Sequence, residues 1–297
     1  MRHSITFALR NNELVDITMV ESGLGCNCYC LECGARLIAK KGDRQAHHFA
    51  HAKDADCRHG WETALHKSIK QLIARKKSIN VPPVYLHRQR KAYFRAARFT
   101  YDGAETEPTL NDIRPDLLLT AGPKKLLIEI RVQHEVPKSK VFKLRRLGLP
   151  VLEIDALQLY EDHLAQKGTP DIAAFHDAVL RGLDCKQWLF NPQQQRAEYR
   201  LRKLAAERKV KPGRYKGYHQ YIVEGCPARR RVWRSGFREG EAYANVIQDC
   251  MHCPFCIELE FEKTYAGFRE VPLLPKKVHC WGHLEEAPCA KPWQSSV

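Results

Sequence analysis

Several things are scarce in this chain of 297 residues, and each scarcity excludes something. No run of eighteen apolar residues occurs, which excludes a membrane-spanning helix. Met1-Arg2-His3-Ser4 leads into no apolar stretch of the signal-peptide kind, so the cytosol is the expected compartment. Acidic residues fall short of basic ones: 34 Asp and Glu face 49 Lys and Arg, a formal net charge of +15. That deficit predicts attraction to a polyanion, and nucleic acid is the commonest soluble one. Cysteine is missing from the long middle of the chain except for Cys185, which argues against a disulfide framework running through the whole.

The remaining cysteines form two groups. Cys26, Cys28, Cys30, Cys33 and Cys57 lie early; Cys226, Cys250, Cys253, Cys256, Cys280 and Cys289 lie late. Cytosolic thiols stay reduced, so two such clusters predict two metal sites. The length leaves room for two or three units with a real apolar core.

Residues 5–20 read as a hairpin turning at Asn11-Asn12, with the first cysteine group after it. Leu65, Ile69, Leu72 and Ile73 recur at helical spacing, which predicts a helix over 61–77. Residues 93–101 read as a strand and 102–112 as a loop, and 116–155 as strand, turn, strand, helix, strand. Residues 157–183 read as helical, broken at Gly168-Thr169-Pro170. The basic run 193–211, ended by Pro212-Gly213, reads as a helical linker. The expected boundaries are 1–60 for the hairpin and first metal module, 61–190 for a core, 191–213 for the linker, and 214–297 for a second cysteine-rich domain.

The central hairpin carries the chemistry. Arg114-Pro115-Asp116 opens one strand, residues 121–124 make a turn, and Lys125 to Gln133 form the next strand. Its Ile128, Ile130 and Val132 alternate with Glu129, Arg131 and Gln133. If Thr120 faces Lys125, counting back sets Asp116 opposite Glu129. Directly opposed Cβ atoms lie about 4.5–5.5 Å apart, and two carboxylates there repel. A divalent cation between them reverses the sign, and oxygen ligands suit Mg²⁺ or Mn²⁺. Downstream, Pro137 opens a helix with Val141, Leu144 and Leu147 inward, Gly148 ends it, and 150–155 form a strand parallel to the second. A surface hairpin with chance acids is the plainer alternative.

Arg114-Pro115-Asp116, Ile128-Glu129-Ile130-Arg131-Val132, His134, Lys140 and Leu152-Glu153-Ile154-Asp155 together resemble the PD-(D/E)xK nuclease superfamily, and within it the competence protein CoiA-like family. Trp61-Glu62-Thr63-Ala64-Leu65-His66, with Lys67 and Lys70, resembles the helix that precedes the nuclease sheet there. The resemblance covers residues 28–156. It implies Asp116 and Glu129 as ligands of a catalytic metal, Glu62 as a third carboxylate, and phosphodiester hydrolysis. The chain departs from the superfamily at Arg131, where a lysine is usual. Arginine can hold a phosphate but cannot act as a base. Either Arg131 serves electrostatically or Lys140 supplies an amine, with Gln133 positioning water; a solvated helix lysine is the plainer reading of Lys140. His134 reads as a positioning or packing residue.

Cys30-x2-Cys33 and His48-x2-His51, fourteen residues apart, have the spacing of a two-Cys, two-His structural zinc site. They also resemble the family's zinc module. Cys26, Cys28, Cys57 and His59 are left over. In the late group, four of Cys226, Cys250, Cys253, Cys256 and Cys280 are expected to bind a second structural zinc, with His283 a possible replacement. Arg229, Arg230, Arg231 and Arg234 flank Trp233, after Tyr215, Tyr218 and Tyr221, a mixture suited to phosphate contact and base stacking. A basic solvated strand is the alternative.

The expected architecture is α/β: a PD-(D/E)xK-type mixed-sheet nuclease core between an N-terminal zinc-finger-like module and a C-terminal zinc ribbon. The expected function is a Mg²⁺-dependent endo- or exonuclease with two zinc ions. DNA is favoured over RNA, in DNA uptake, phage defence or mobile-element processing. The rival is an inactive nucleic-acid-binding protein on the same fold, which Arg131 keeps open.

Overall fold

Two adjacent asparagines with positive φ, Asn11 at 53° and Asn12 at 63°, turn strand β1 (Phe7–Arg10) onto β2 (Glu13–Asp16) with Arg10 paired to Glu13. Asparagine tolerates this left-handed conformation, which matches the twist of a two-residue hairpin. A computed structural model describes residues 4–53, 55–86, 92–215, 218–262, 265–266, 269–270 and 274–284. Cys289, counted above with the late cysteines, lies outside them. The chain divides into two units, residues 1–82 with 96–192 and residues 83–95 with 193–297.

In the first unit, β3 (Gly23–Tyr29), β4 (Arg36–Lys40) and β5 (His48–His51) complete a five-stranded sheet of order β2-β1-β3-β4-β5. Helix α1 (Gly60–Arg75) follows. It buries Leu65, Ile69 and Ile73 of the stripe expected from the 3.6-residue period, together with Trp61 and Ala64, while Leu72 of that stripe is half-buried. Strands β6 (Ser78–Val81) and β7 (Ala97–Thr100) pair with each other.

The second sheet of this unit holds β8 (Gly103–Thr106), β9 (Leu117–Ala121), β10 (Lys124–Arg131), β11 (Val151–Asp155) and β12 (Lys186–Phe190), in the order β12-β11-β10-β9-β8. Helix α2 (Lys138–Arg146) connects β10 to β11, the parallel pair; the other neighbours are antiparallel. Helices α3 (Ala156–His163) and α4 (Ile172–Arg181) lie between β11 and β12. The fold is mixed α/β, as expected. Residues 103–106, read as loop, are instead an edge strand. A Cβ on Gly103 would lie 2.2 Å from Thr120 Oγ1, so a larger residue there would require the Thr120 side chain to turn.

The turn of the central hairpin is shorter than expected. Ala121 pairs with Lys124, leaving Gly122 (φ 55°) and Pro123 as the loop, yet Thr120 still faces Lys125. Trimming a symmetric loop by one residue at each end preserves register. The second strand also stops early, at Arg131, so Gln133 and His134 are exposed beyond it.

Beyond residues 83–95, the second unit contains α5 (Pro192–Leu204, all but its first residue), then β13 (Ala206–Lys209), β14 (Lys211–Tyr215), β15 (Tyr218–Glu224), β16 (Arg231–Val232), β17 (Ala242–Asn245), β18 (Cys256–Glu262), β19 (Tyr265–Ala266), β20 (Arg269–Glu270) and β21 (Leu274–Cys280). Its sheets run β13-β21-β18, β14-β15-β17-β16 and β19-β20. The run 193–211, read as a linker, is built into this unit. Ala197 and Leu201 of α5 pack with Leu86, Ile257 and Trp281. Pro212-Gly213 lies inside β14, Pro212 opposite Tyr221. Among the described residues, no helix is long and apolar enough to cross a membrane.

Candidate metal centre and carboxylate site

The early cysteines form a cluster whose membership differs from the spacing rule. Cys30, Cys33, His51 and Cys57 bring their ligand atoms within 4.8 Å of one another. Cys30 Sγ lies 3.8 Å from Cys57 Sγ, and Cys33 Sγ 3.3 Å from His51 Nε2. A tetrahedron with zinc–sulfur bonds of about 2.3 Å has edges of about 3.8 Å, so a Cys3His donor set at these separations fits zinc. His48, expected in place of Cys57, is not among the four; its Nδ1 lies 2.8 Å from Ala46 O. The cause is geometric. His48 and His51 both lie on β5, and side chains three apart on a strand project from opposite faces, whereas on a helix they share one.

The module is docked on α1. A Cβ on Gly60, the first helical residue, would meet Cys57 Sγ at 2.9 Å and Cys30 Sγ at 3.2 Å. Thr63 Oγ1 donates to Glu32 at 2.6 Å, and Lys67 Nζ to Leu31 O at 3.0 Å. Burial, with the neighbouring thiols Cys33 and Cys30, pushes the Cys57 thiol up to about 12. The Ala35 backbone hydrogen bond holds Cys33 below its usual range. Crowded thiols resist joint ionisation, and a divalent cation among them reverses that.

The same helix reaches the carboxylates. His66 Nε2 lies 3.1 Å from Asp116 Oδ1, and Lys70 Nζ lies 4.0 Å from it. Asp116 Oδ2 accepts from Ile130 N at 2.8 Å. Burial pushes Asp116 up, but the His66 ring, the Ile130 N–H and Lys70 outweigh it and hold the carboxyl below its usual range. Buried Lys70 also pairs with Glu107, whose backbone N–H donates to Asp116 O. Glu107 thus stands beside Asp116. Glu62, the third carboxylate that the resemblance implied, pairs with His59 at 3.3 Å.

Glu129 sits on the central strand, 3% exposed. Its Oε2 takes Lys140 Nζ at 2.6 Å, and its Oε1 is buried with no hydrogen-bond partner. Burial lifts its carboxyl to about 7, Lys140 opposes the rise, and Asp116 and Glu153 add to it. The pairing of β9 with β10 ends at Leu117 with Ile128, one step short of the acids, in the register expected.

Arg131 points elsewhere. Its Nη2 pairs with Asp155, and its Nε lies 3.4 Å from Glu153 Oε1. Glu153 is buried and also takes Gln187 Nε2. The parallel register explains this, because Glu129 stands beside Glu153 and Arg131 beside Asp155. Lys140, one helix later, is the cation that meets Glu129. His66, Lys70, Glu107 and Cys57 were not assigned as site residues from sequence. The signal for the first two was their spacing of four and eight residues from Glu62, one helical face.

The late cysteines Cys226, Cys250, Cys253, Cys256 and Cys280 are all buried in one core. The arginines near them differ in role. Arg231 pairs with Asp249 at 2.6 Å, and Arg230 approaches Cys253 Sγ at 3.9 Å. Arg229, with φ 45°, reaches Gly240 O at 3.5 Å, and Arg234 is exposed. Trp233 stacks on Tyr243 at 4.3 Å.

These features define a mixed α/β chain whose first unit joins a Cys3His cluster of zinc-binding type, through one helix, to the half-buried Asp116 on the sheet that also carries the buried Glu129. Residues 18–60 match the family model for the N-terminal domain of competence protein CoiA, so over that segment the chain is CoiA-like. The matched segment contains Cys30, Cys33, His51 and Cys57. No curated protein and no solved structure matches.

Proposed function

We propose that the first unit is a metal-dependent nuclease of the PD-(D/E)xK type, with Asp116 and Glu129 holding Mg²⁺ or Mn²⁺ and DNA as substrate. The observation that carries this is Glu129: a carboxylate on the central strand, 3% exposed, with one oxygen on Lys140 and the other without a partner, beside a second acid. A buried carboxylate oxygen left unpaired costs on the order of 1–3 kcal/mol, and cation ligation would remove that cost. Mg²⁺ commonly takes one or two carboxylates plus substrate phosphate, so two acids suffice. Bound there, such an ion supplies an acidified water and neutralises charge on phosphorus.

The chain's own groups divide the remaining work. Ile130 N and His66 fix the Asp116 carboxylate in its charged form. Lys70, shared with Glu107, balances that charge. Lys140, paired with Glu129, would take the part of the superfamily's lysine and steady the phosphoryl oxygens once Glu129 turns to a cation. Arg131, held by Asp155 and Glu153, serves the sheet instead. The net charge of +15 favours a polyanionic substrate, and a competence-related role agrees with the CoiA-type domain. One observation favours the binding-only rival: Lys140 already pairs with Glu129, and His66 and Lys70 already contact Asp116.

The test is incubation of the full chain with plasmid, linear and single-stranded DNA under Mg²⁺, Mn²⁺ or EDTA. Asp116→Ala and Glu129→Ala are each expected to abolish metal-dependent cleavage, with DNA binding retained. Because ligands act as a unit, either single change should cost nearly as much as both. Wild-type activity in either variant sinks the assignment; wild-type protein that binds but never cleaves supports the rival.

A further inference from the structure

The buried late cysteines surround a space. Cys226, Cys250, Cys253, Cys256 and Cys280, with Val223, Ala244 and Val278, line a cavity of about 20 Å³ in the second unit. A water needs about 10–15 Å³, so there is room for one, but a water also needs two to four polar partners. The surface facing the space is apolar, although Arg208, Arg230 and Asp249 also stand in its wall. Five cysteines lining one space that water cannot usefully fill are poorly explained as packing, because close-packed cores rarely leave such voids.

Two arginines border the same cavity. Arg230 Nη2 lies 3.9 Å from Cys253 Sγ. Arg208 lines the wall, and its Nε is buried without a hydrogen-bond partner. A buried guanidinium nitrogen facing neutral thiols is costly; facing thiolates it is not. The backbone adds a further sign. Gly282 N donates to Cys280 Sγ at 3.4 Å, two residues after the sulfur, and Glu32 N does the same to Cys30 Sγ at 3.4 Å in the first cluster.

We propose that the second unit holds one thiophilic divalent ion, zinc by its chemistry, between four of the thiolates of Cys226, Cys250, Cys253, Cys256 and Cys280. Four thiolates around a 2+ ion leave a net charge of −2, which Arg208 and Arg230 match, while Asp249 in the same wall is balanced by Arg231. Binding releases the four thiol protons to solvent, with no change of oxidation state. The fifth cysteine remains a neutral thiol. Closed to a fifth ligand and buried, the site is structural and ties β15, β18 and β21 together at the turn that carries Cys250 and Cys253. This centre is independent of the nuclease reading.

The full chain, purified without chelator, is expected to carry two ions by elemental analysis and native mass spectrometry. Cys30→Ser/Cys33→Ser should retain one. If that variant fails to fold, cobalt(II) in the wild-type chain decides. A four-sulfur site absorbs at lower energy than a three-sulfur, one-nitrogen site, so both bands are expected. Serine replacement at each of the five positions should lose the second ion at four and keep it at one. A single ion per chain that vanishes with Cys30→Ser/Cys33→Ser overturns the proposal. So does a cobalt spectrum holding only the three-sulfur, one-nitrogen band, or retention of both ions in all five serine variants.

Discussion

Replacing Glu129 with glutamine should make the first unit more stable, by an amount that grows with pH. Burial lifts the Glu129 carboxyl from its ordinary range to about 7, even with Lys140 at 2.6 Å. The sign follows from linkage. A carboxyl raised in the folded state binds its proton more tightly there than in the unfolded chain. Below the ordinary glutamate range both states are protonated and nothing is lost. As pH rises towards 7 the unfolded chain ionises first, and stability falls by about 1.4 kcal/mol per pH unit, reaching on the order of 3 kcal/mol above 7. Glutamine is never ionised, and Lys140, with its side chain 29% exposed, can turn to water. Glu129→Gln should therefore match wild type near pH 4.5 and exceed it by about 2–3 kcal/mol at pH 8, or roughly 5–10 °C in Tm for a unit of this size. Thermal unfolding followed by circular dichroism in EDTA at several pH values measures it. Millimolar Mg²⁺ should then raise wild-type Tm and leave Glu129→Gln unmoved, since only a ligand that binds the folded form stabilises it. A difference that is constant from pH 5 to pH 8, or a glutamine variant less stable at pH 8, refutes the reasoning.

The two basic residues near the acids should separate. Arg131→Ala strips a buried Glu153 of its cation and is expected to cost about 3 kcal/mol in denaturant unfolding, whereas Lys140→Ala should lower cleavage about 10²-fold and move the acidic limb of the pH–rate profile upward, because Lys140 holds the Glu129 carboxyl down. Equal losses of stability and cleavage in both would contradict these roles. In the first metal module, Cys57→Ser should lose the bound ion and lower Tm, while His48→Ala keeps it; metal analysis showing the reverse would restore His48 as the ligand.

Local order accounts for what was legible in the chain alone. The hairpin register of Thr120 with Lys125 followed from strand alternation and a symmetric turn, both properties of contiguous residues, and it survived a loop two residues shorter than read. The face of α1 followed from helical spacing in the same way. Ligand choice did not, because the same His-x2-His converges on a helix and diverges on a strand, and β5 takes its form from pairing with β4. Cys57 joins Cys30 only because the chain returns past the sheet before entering α1. The choice between Arg131 and Lys140 as the cation beside Glu129, left open by the sequence, was made for a similar reason. Parallel pairing set Asp155 beside Arg131, and packing of α2 carried Lys140 back to Glu129. His66 and Lys70 meet Asp116 across roughly fifty residues of sequence. Residue types and periods are written locally, but which charges share a desolvated space depends on how the sheet and its helices stack, and that stacking is decided by burial of apolar faces far apart in the sequence.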